Sequence, residues 1–262
     1  TFKEDIMVAI DLNSDLGASW GAYTKGEDDA VLSIITSANV ACGYHAGDPV
    51  VMRNTLTTAK INEVAVGAHP SYLDLIGFGR RRIVGDSPEV LERQIAYQIG
   101  ALQGIAAMTN TKVTHVKSHG SLGNVVAEDD DIALSVAKAV KSVDPNLILV
   151  VMPGMATERA GEKLGLRLAR EVYADRGYQD NGNLVPRNQQ GAIISDPEKA
   201  TERVLRMLED RVITAESGKK ISAKIDTICV HGDNPSAVNM AVQIRNSIMD
   251  NGINLKPFHE FV

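Results

Sequence analysis

The chain of 262 residues has few cysteines, few aromatic residues and no long basic run. Its two cysteines, Cys42 and Cys229, each end a predicted strand, so we expect small buried thiols and no disulfide. A chain without disulfides suits a reducing compartment, and the cytoplasm is expected. The apolar run near residue 6 is too short for a signal peptide or a membrane span, so no membrane partner is expected.

Positive charge is also scarce. Lys and Arg number 27 against 33 Asp and Glu, which gives a formal net charge of -6. Because the longest basic run is Arg80-Arg81-Arg82, the sequence cannot neutralise a row of phosphates, and nucleic acid is excluded as a partner. A small-molecule substrate is expected instead.

Two catalytic signatures are missing from the sequence. It contains no G-x-x-x-x-G-K-[ST] and no H-E-x-x-H. The P-loop and zincin classes therefore have no support.

Seven short apolar runs are typical of β-strands. They lie at about residues 6–12, 37–42, 63–69, 112–118, 146–152, 167–173 and 225–231. Helical patterns separate most of them, and Asp48-Pro49, Ser87-Pro88 and Asn234-Pro235 each place a capping residue before a proline at the first helical position. Such alternation predicts parallel strands joined by right-handed crossovers.

Polar residues follow nearly every predicted strand, which favours a closed barrel over an open doubly wound sheet. We therefore expect one domain over residues 1–262, a seven-stranded parallel (β/α) barrel of the TIM-like type. Two segments interrupt the pattern. Residues 174–195 are polar and rich in turn residues, which predicts a functional lid or a mobile loop. Residues 210–224 suggest a hairpin around Ser217 and Gly218.

Four of the six histidines lie at or just after the ends of predicted strands, namely His45, His69, His119 and His231. In a barrel, polar groups at strand ends share one active site. A histidine beside a carboxylate is the usual general base near neutral pH. The candidate pairs are His231 with Asp233, and His45 or His69 with Asp11 or Asp15. Asp48 directly precedes its proline and is expected to cap a helix, whereas Asn234 can cap the last helix and leave Asp233 for chemistry.

Two of the strands carry further candidates. Alternation points Asp11, Asn13 and Asp15 to the same side, where they can orient a base, hold water or bind a cation, although an Asn- and Asp-rich turn is the alternative. Lys117 lies within a strand and is costly to bury without an anion, which predicts a place in the barrel lumen against a carboxylate or phosphate. His115 is expected to be a hydrogen-bonded core residue.

Arginines supply two candidate anion clamps. Arg80 and Arg81 follow the glycines of DLIGFGRRR, and guanidinium forks suit carboxylates and phosphates. Asp175 and Arg176 form the second candidate at the end of the sixth strand. A solvated basic turn and a structural Asp175–Arg176 ion pair are the respective alternatives.

Taken together, these motifs resemble the LamB/YcsF family, which includes the A subunit of bacterial ATP-dependent 5-oxoprolinase. The matching stretches are DLNSDLG (11–17), SANVACGYHAGDP (37–49), GAHPSYLDLIGFGRR (67–81), YQIGAL (97–102), HVKSHGSLGN (115–124), EVYADRGY (171–178) and CVHGDNP (229–235). The chain departs from the family pattern at Ala18, where the family has Glu, and at Ser118, Ser121 and Gly123.

The resemblance implies a barrel akin to the glycoside hydrolase/deacetylase superfamily. It also implies hydrolysis of the 5-oxoproline lactam to glutamate, with ATP as co-substrate and B and C subunits as partners. For that chemistry we expect His231 with Asp233, or His69, to activate water, with Asp11 nearby, and Lys117 and His119 to stabilise negative charge. The residues expected to bind substrate are Asn13, Asp15, His45, Arg80, Arg81, Asp175 and Arg176.

Two other hypotheses remain open at this point. Asp15, His69 and His119 can form the metal site of a divalent-metal-dependent deacetylase or hydrolase. Alternatively, the chain is a non-catalytic subunit that binds the lactam, which the departures at Ala18 and Gly123 favour.

Overall fold

A computed structural model describes residues 9–232 and 234–262, so Asp233 and its predicted pairing with His231 lie outside the described residues. The strands of the described part are β1 (Ala9–Leu16), β2 (Ser37–Ala41), β3 (Ala65–His69), β4 (Val113–Val116), β5 (Ile148–Val151), β6 (Arg167–Tyr173), β7 (Val212–Thr214), β8 (Lys220–Ser222), β9 (Thr227–Cys229) and β10 (Asn254–Leu255).

Seven of these strands close into a parallel barrel. Their order around the barrel is β1-β2-β3-β4-β5-β6-β9, and β9 pairs back onto β1. The short β10 adds to the start of β1, parallel to Ala9 and Ile10. The predicted seven-stranded (β/α) barrel is therefore confirmed, and every predicted strand is present in the described residues.

The helices of the described part surround the barrel. They are α1 (Asp28–Leu32), α2 (Pro49–Ile61), α3 (Pro88–Met108), α4 (Gly120–Glu128), α5 (Asp130–Val143), α6 (Ala156–Leu164), α7 (Pro197–Asp210) and α8 (Pro235–Asp250). All three predicted caps are confirmed, because the side chains of Asp48, Ser87 and Asn234 accept bonds from backbone N–H groups of the first turns of α2, α3 and α8. Every helix within residues 9–232 and 234–262 is too short or too polar to cross a bilayer.

The apolar core lies between the barrel and its helices. Ile10 and Leu12 of β1 belong to it, together with Ile95 and Ile99 of α3. The alternate residues of β1 meet polar partners instead: Asn13 Nδ2 donates to Thr227 Oγ1 at 2.7 Å, and its Oδ1 accepts from Asn39 Nδ2 at 2.8 Å. The lumen of the barrel is therefore polar and the layer around it is apolar, so the polar side chains of the strands point into the lumen.

The two segments that interrupt the pattern behave differently. Residues 210–224 form the predicted hairpin, in which β7 and β8 pair antiparallel on either side of Ser217 and Gly218. Residues 174–195 pack against the barrel through Tyr178, which is fully buried and accepts a bond from the Tyr173 N–H at 2.8 Å. This longer segment forms a wall of the cavity described below.

Gly67 of β3 is required by its neighbour in the lumen. A Cβ at this position would lie 2.1 Å from the His115 ring, and both residues are enclosed by the barrel. We expect Gly67→Ala to lower the free energy of unfolding by about 1–3 kcal/mol, since overpacking forces side chains or backbone to shift. Urea denaturation measures the change.

The matched control is Gly100→Ala in α3. A Cβ there meets nothing within 4 Å, so the variant should gain up to about 1 kcal/mol from helix propensity. A Gly67→Ala variant as stable as Gly100→Ala would contradict the close packing of Gly67 on His115.

Candidate active site

A cavity of about 560 Å³ opens at the carboxyl ends of the barrel strands. Asp15 of β1, His69 of β3, Lys117 after β4, Glu171 of β6 and His231 after β9 all line it. Because the strands run parallel, their carboxyl ends meet at one mouth of the barrel. The volume falls in the range of small-molecule sites.

Lys117 is the centre of the site. Its side chain is 4% exposed, and Nζ lies 2.9 Å from Asp15 Oδ1 and 2.7 Å from Glu171 Oε1. Nζ also lies 3.2 Å from Cys229 Sγ and 5.1 Å from the centre of the Tyr173 ring. The predicted position of Lys117 in the lumen against a carboxylate is confirmed.

The buried charges keep one another ionised. Burial alone would lower the pKa of Lys117, but Asp15, Cys229 and Glu171 hold it well above its ordinary value. Burial alone would likewise raise the pKa of Asp15, and the charges of His69 and Lys117 hold it well below. An isolated buried charge is very costly, so each partner depends on the others.

Three histidines form a second cluster beside Asp15. His69 Nε2 lies 3.2 Å from Asp15 Oδ2 and 3.0 Å from His119 Nδ1. The His45 ring stacks on the His119 ring with centroids 3.7 Å apart. Burial, with the neighbouring His69, lowers the pKa of His119 to about 3, so this ring is neutral near pH 7.

The loop after β3 supports this cluster. The Phe78 carbonyl accepts a bond from His119 Nε2 at 2.9 Å, and Phe78 itself has a left-handed backbone with φ of 54°. The next residue must be glycine, because a Cβ at Gly79 would lie 2.3 Å from Ser71 Oγ and 2.7 Å from the His119 ring. The glycine therefore lets the loop approach the histidine cluster closely.

His231 has a carboxylate partner, but within the described residues that partner is Asp175. The distance from His231 Nδ1 to Asp175 Oδ2 is 2.7 Å. Burial alone would lower the pKa of His231, and Asp175 reverses that effect and raises it. In return the pKa of Asp175 is lowered against the effect of its own burial. Asp175 therefore pairs with His231, and not with Arg176, which was the alternative partner predicted for Asp175.

Two of the predicted site residues lie elsewhere. Asp11 is buried lower in the lumen, where its carboxylate accepts bonds from Thr36, Ser37 and Thr227, and it does not line the cavity. Burial raises the pKa of Asp11 to about 6, while those bonds lower it. Arg81 pairs with Asp74 of its own loop and keeps 60% of its side chain exposed. We correct both predictions: Asp11 holds strands together, and Arg81 stabilises a loop.

The remaining predicted residues reach the cavity or stand just below it. Arg80 lines it, as does Arg176, whose Nε and Nη2 donate to the Ala192 and Val185 carbonyls of the 174–195 segment. Asn13 lies beneath the cavity and its Oδ1 is 3.4 Å from Lys117 Nζ. His115 is a hydrogen-bonded core residue as predicted, bonded to Asn39 and Thr114.

The importance of Glu171, Tyr173 and Cys229 was not apparent from the sequence. Glu171 and Tyr173 alternate along β6 as Asn13 and Asp15 do along β1, and that alternation is the signal that could have found them. The four departures from the family pattern also meet here, because Ala18, Ser118, Ser121 and Gly123 all line the cavity.

Among the described residues, two groups have the donor types and spacing to hold a metal ion. One is Asp15, His69 and His119, and the other is Asp15, Cys229 and His231. Both cysteines of the chain are buried and unpaired, as predicted.

Relatives of this chain are found among curated sequences and solved structures. The protein named as the A subunit of 5-oxoprolinase in Rhodopseudomonas palustris (strain BisB5) is 50% identical over 249 residues, covering 95% of this chain and 98% of its own length. The protein of the same name in Pyrococcus horikoshii is 47% identical, and the match covers 97% of this chain and 99% of its own length. The crystal structure of a lactam utilization protein from Thermus thermophilus superimposes with a TM-score of 0.89 at 39% identity, covering 95% and 99%. The LamB/YcsF family model matches residues 10–262, and this chain belongs to the LamB/YcsF family.

Proposed function

We propose that this chain hydrolyses the lactam of 5-oxo-L-proline to L-glutamate, as the A subunit of an ATP-dependent 5-oxoprolinase. The observation that carries the proposal is the buried ammonium of Lys117 between Asp15 and Glu171, at a cavity that His69, His119 and His231 share. The names of the relatives that match nearly the whole chain support the choice of substrate.

In this proposal His231 is the general base. With Asp175 at Nδ1, the other ring nitrogen is the one that accepts a proton from water. The new bond joins the water oxygen to the lactam carbon, and the ring C–N bond breaks. The nitrogen leaves as the amine after taking up the proton that His231 received from water. Lys117 stabilises the negative charge that develops on the carbonyl oxygen, and Arg80 is a contact for the substrate carboxylate.

ATP and the partner subunits belong to the proposal by family resemblance. A five-membered lactam is a stable amide. Transfer of the γ-phosphoryl group of ATP to the lactam oxygen, with ADP as the leaving group, would make the ring carbon a better electrophile for water. Breaking the C–N bond then leaves an acyl phosphate, which a second water hydrolyses to the carboxylate and inorganic phosphate. B and C subunits are the proposed partners. The cytoplasm is the proposed compartment, which the two unpaired thiols support.

The test measures glutamate released from 5-oxoproline. The chain is incubated with and without ATP, alone and with its candidate B and C subunits, and each mixture is repeated with Lys117→Met in place of the parent. We expect glutamate only from the complete mixture containing the parent chain.

The alternatives give different results in the same assay. Glutamate formed without ATP would mean a simple amide hydrolase, and bound 5-oxoproline without turnover in the complete mixture would mean a lactam-binding subunit. Equal glutamate from parent and Lys117→Met mixtures would overturn the proposed site.

A further inference from the structure

The hydrogen bonds of His69 and His119 determine which ring nitrogens carry protons. His69 Nδ1 lies 2.8 Å from the Lys117 carbonyl oxygen, and His119 Nε2 lies 2.9 Å from the Phe78 carbonyl oxygen. A carbonyl oxygen only accepts, so both of these nitrogens must donate. In the neutral rings, His69 Nε2 and His119 Nδ1 therefore present lone pairs.

Those two lone pairs face each other and a carboxylate. His69 Nε2 is 3.0 Å from His119 Nδ1 and 3.2 Å from Asp15 Oδ2, and the three ligand atoms lie within 4.8 Å of one another. All three are acceptors, and none of them supplies a proton to the others. The arrangement requires a positive centre, either a second proton on His69 or a metal ion.

The geometry favours a metal ion. A proton on His69 Nε2 points at one acceptor and leaves the other unpaired, whereas a cation can serve all three atoms. Ligands about 2.0–2.1 Å from a tetrahedral zinc ion stand roughly 3.3 Å apart, close to the two short separations found here. We propose that Asp15, His69 and His119 bind one divalent cation of the zinc type, with the cavity supplying its open position.

The surrounding contacts hold these ligands in place. The Lys117 and Phe78 carbonyls orient the two rings from behind, which is the usual support of metal-binding histidines. His45 stacks on His119 and restricts its rotation. Lys117 Nζ bonds Asp15 Oδ1, so the other oxygen of that carboxylate is the one aimed at the cation.

The second group of donors is a poorer metal site. Cys229 Sγ lies 3.2 Å from the Lys117 ammonium, whose positive charge opposes a cation bound to that sulfur. His231 is the general base of the proposed function, and its second ring nitrogen is needed there for the proton. The first group offers two ring nitrogens and a carboxylate oxygen, all within 4.8 Å of one another.

The cation would polarise the amide carbonyl or activate a water in the cavity, and this part of the inference rests on the proposed function. Metal binding itself does not. The experiment below contains no substrate, so its failure and the failure of the proposed function are distinguishable.

The test titrates chelator-treated protein with Zn²⁺ by calorimetry. We expect one Zn²⁺ per chain, and a loss of affinity of at least about 10-fold in His69→Gln and in His119→Gln, since losing a ligand costs no less than losing a supporting contact. The matched control is His259→Gln, in the Phe258–Glu260 turn away from the cavity, which should bind Zn²⁺ as the parent does. Circular dichroism checks that each variant is folded.

A second measurement needs no ligand variant. Co²⁺ bound to the parent should give the visible bands of a nitrogen and oxygen site without a thiolate charge-transfer band, and Cys229→Ser should leave the spectrum unchanged. Failure to bind Zn²⁺, binding that survives His69→Gln and His119→Gln, or a thiolate band would each overturn the proposal.

Discussion

Replacing Lys117 with methionine is expected to reduce turnover by about 10²–10³-fold and to lower the free energy of unfolding by about 3–5 kcal/mol. The first effect follows from removing the ammonium that faces the developing negative charge. The second follows because Asp15 and Glu171 would keep their charges in the lumen without the cation that separates them. Methionine keeps most of the stem volume, so the change isolates the charge.

The double variant Lys117→Met/Glu171→Gln separates the two effects. It removes one of the two carboxylates left without a counter-charge, so most of the lost stability should return while turnover stays low. Lys138→Met, on the exposed face of α5, is the matched control and should alter neither quantity. Urea denaturation and glutamate release in the complete mixture provide the measurements. Turnover that returns along with stability would show that Lys117 acts only as a structural residue.

The sequence predicted the barrel well because its strands are short apolar runs between clear helix caps. The one strand whose end was misplaced is β1, predicted to stop at about residue 12 and found to continue to Leu16. Its last half carries Asn13 and Asp15, whose polar side chains face a polar lumen. The apolar pattern of β1 ends where polar residues of the candidate site begin. The end of the strand was therefore predicted too early at the site itself.

Pairings across the barrel were harder to predict than the residues that take part in them. Lys117 was expected to meet an anion, but Glu171 could be named only once the register of β6 was known. Likewise Asp175, the carboxylate partner of His231 among the described residues, lies 56 positions away and follows the neighbouring strand β6. Arg80 and Arg81 are adjacent in the sequence, and only the loop geometry shows that Arg81 is the one that pairs with Asp74.

The His231–Asp175 pair leads to the second large effect. Asp175→Asn is expected to reduce turnover by about 10²–10⁴-fold, the usual range for a disabled general base. It should also move the acid limb of the kcat/KM profile to lower pH. Asp175 raises the pKa of His231 against the effect of burial, so without that charge burial lowers the pKa below its ordinary value.

The same pair has a defined effect on stability. His231 has a raised pKa in the folded state, so its contribution is complete below about pH 6.5 and is lost as the pH rises through the folded value. Asp175 has a lowered pKa, so its contribution is complete above about pH 4 and is lost as the pH falls through the folded value. The stability that Asp175→Asn costs should therefore be greatest between those two values and smaller at pH 9.

Urea denaturation at pH 5 and pH 9, with pH profiles of kcat/KM, tests both expectations. Asp250→Asn, exposed at the end of α8, is the matched control and should change neither profile. If turnover falls in Asp175→Asn while the acid limb keeps its position, His231 is not the base that limits the reaction. The acid limb is thus the decisive readout, because a merely structural role for the pair would lower activity equally at every pH.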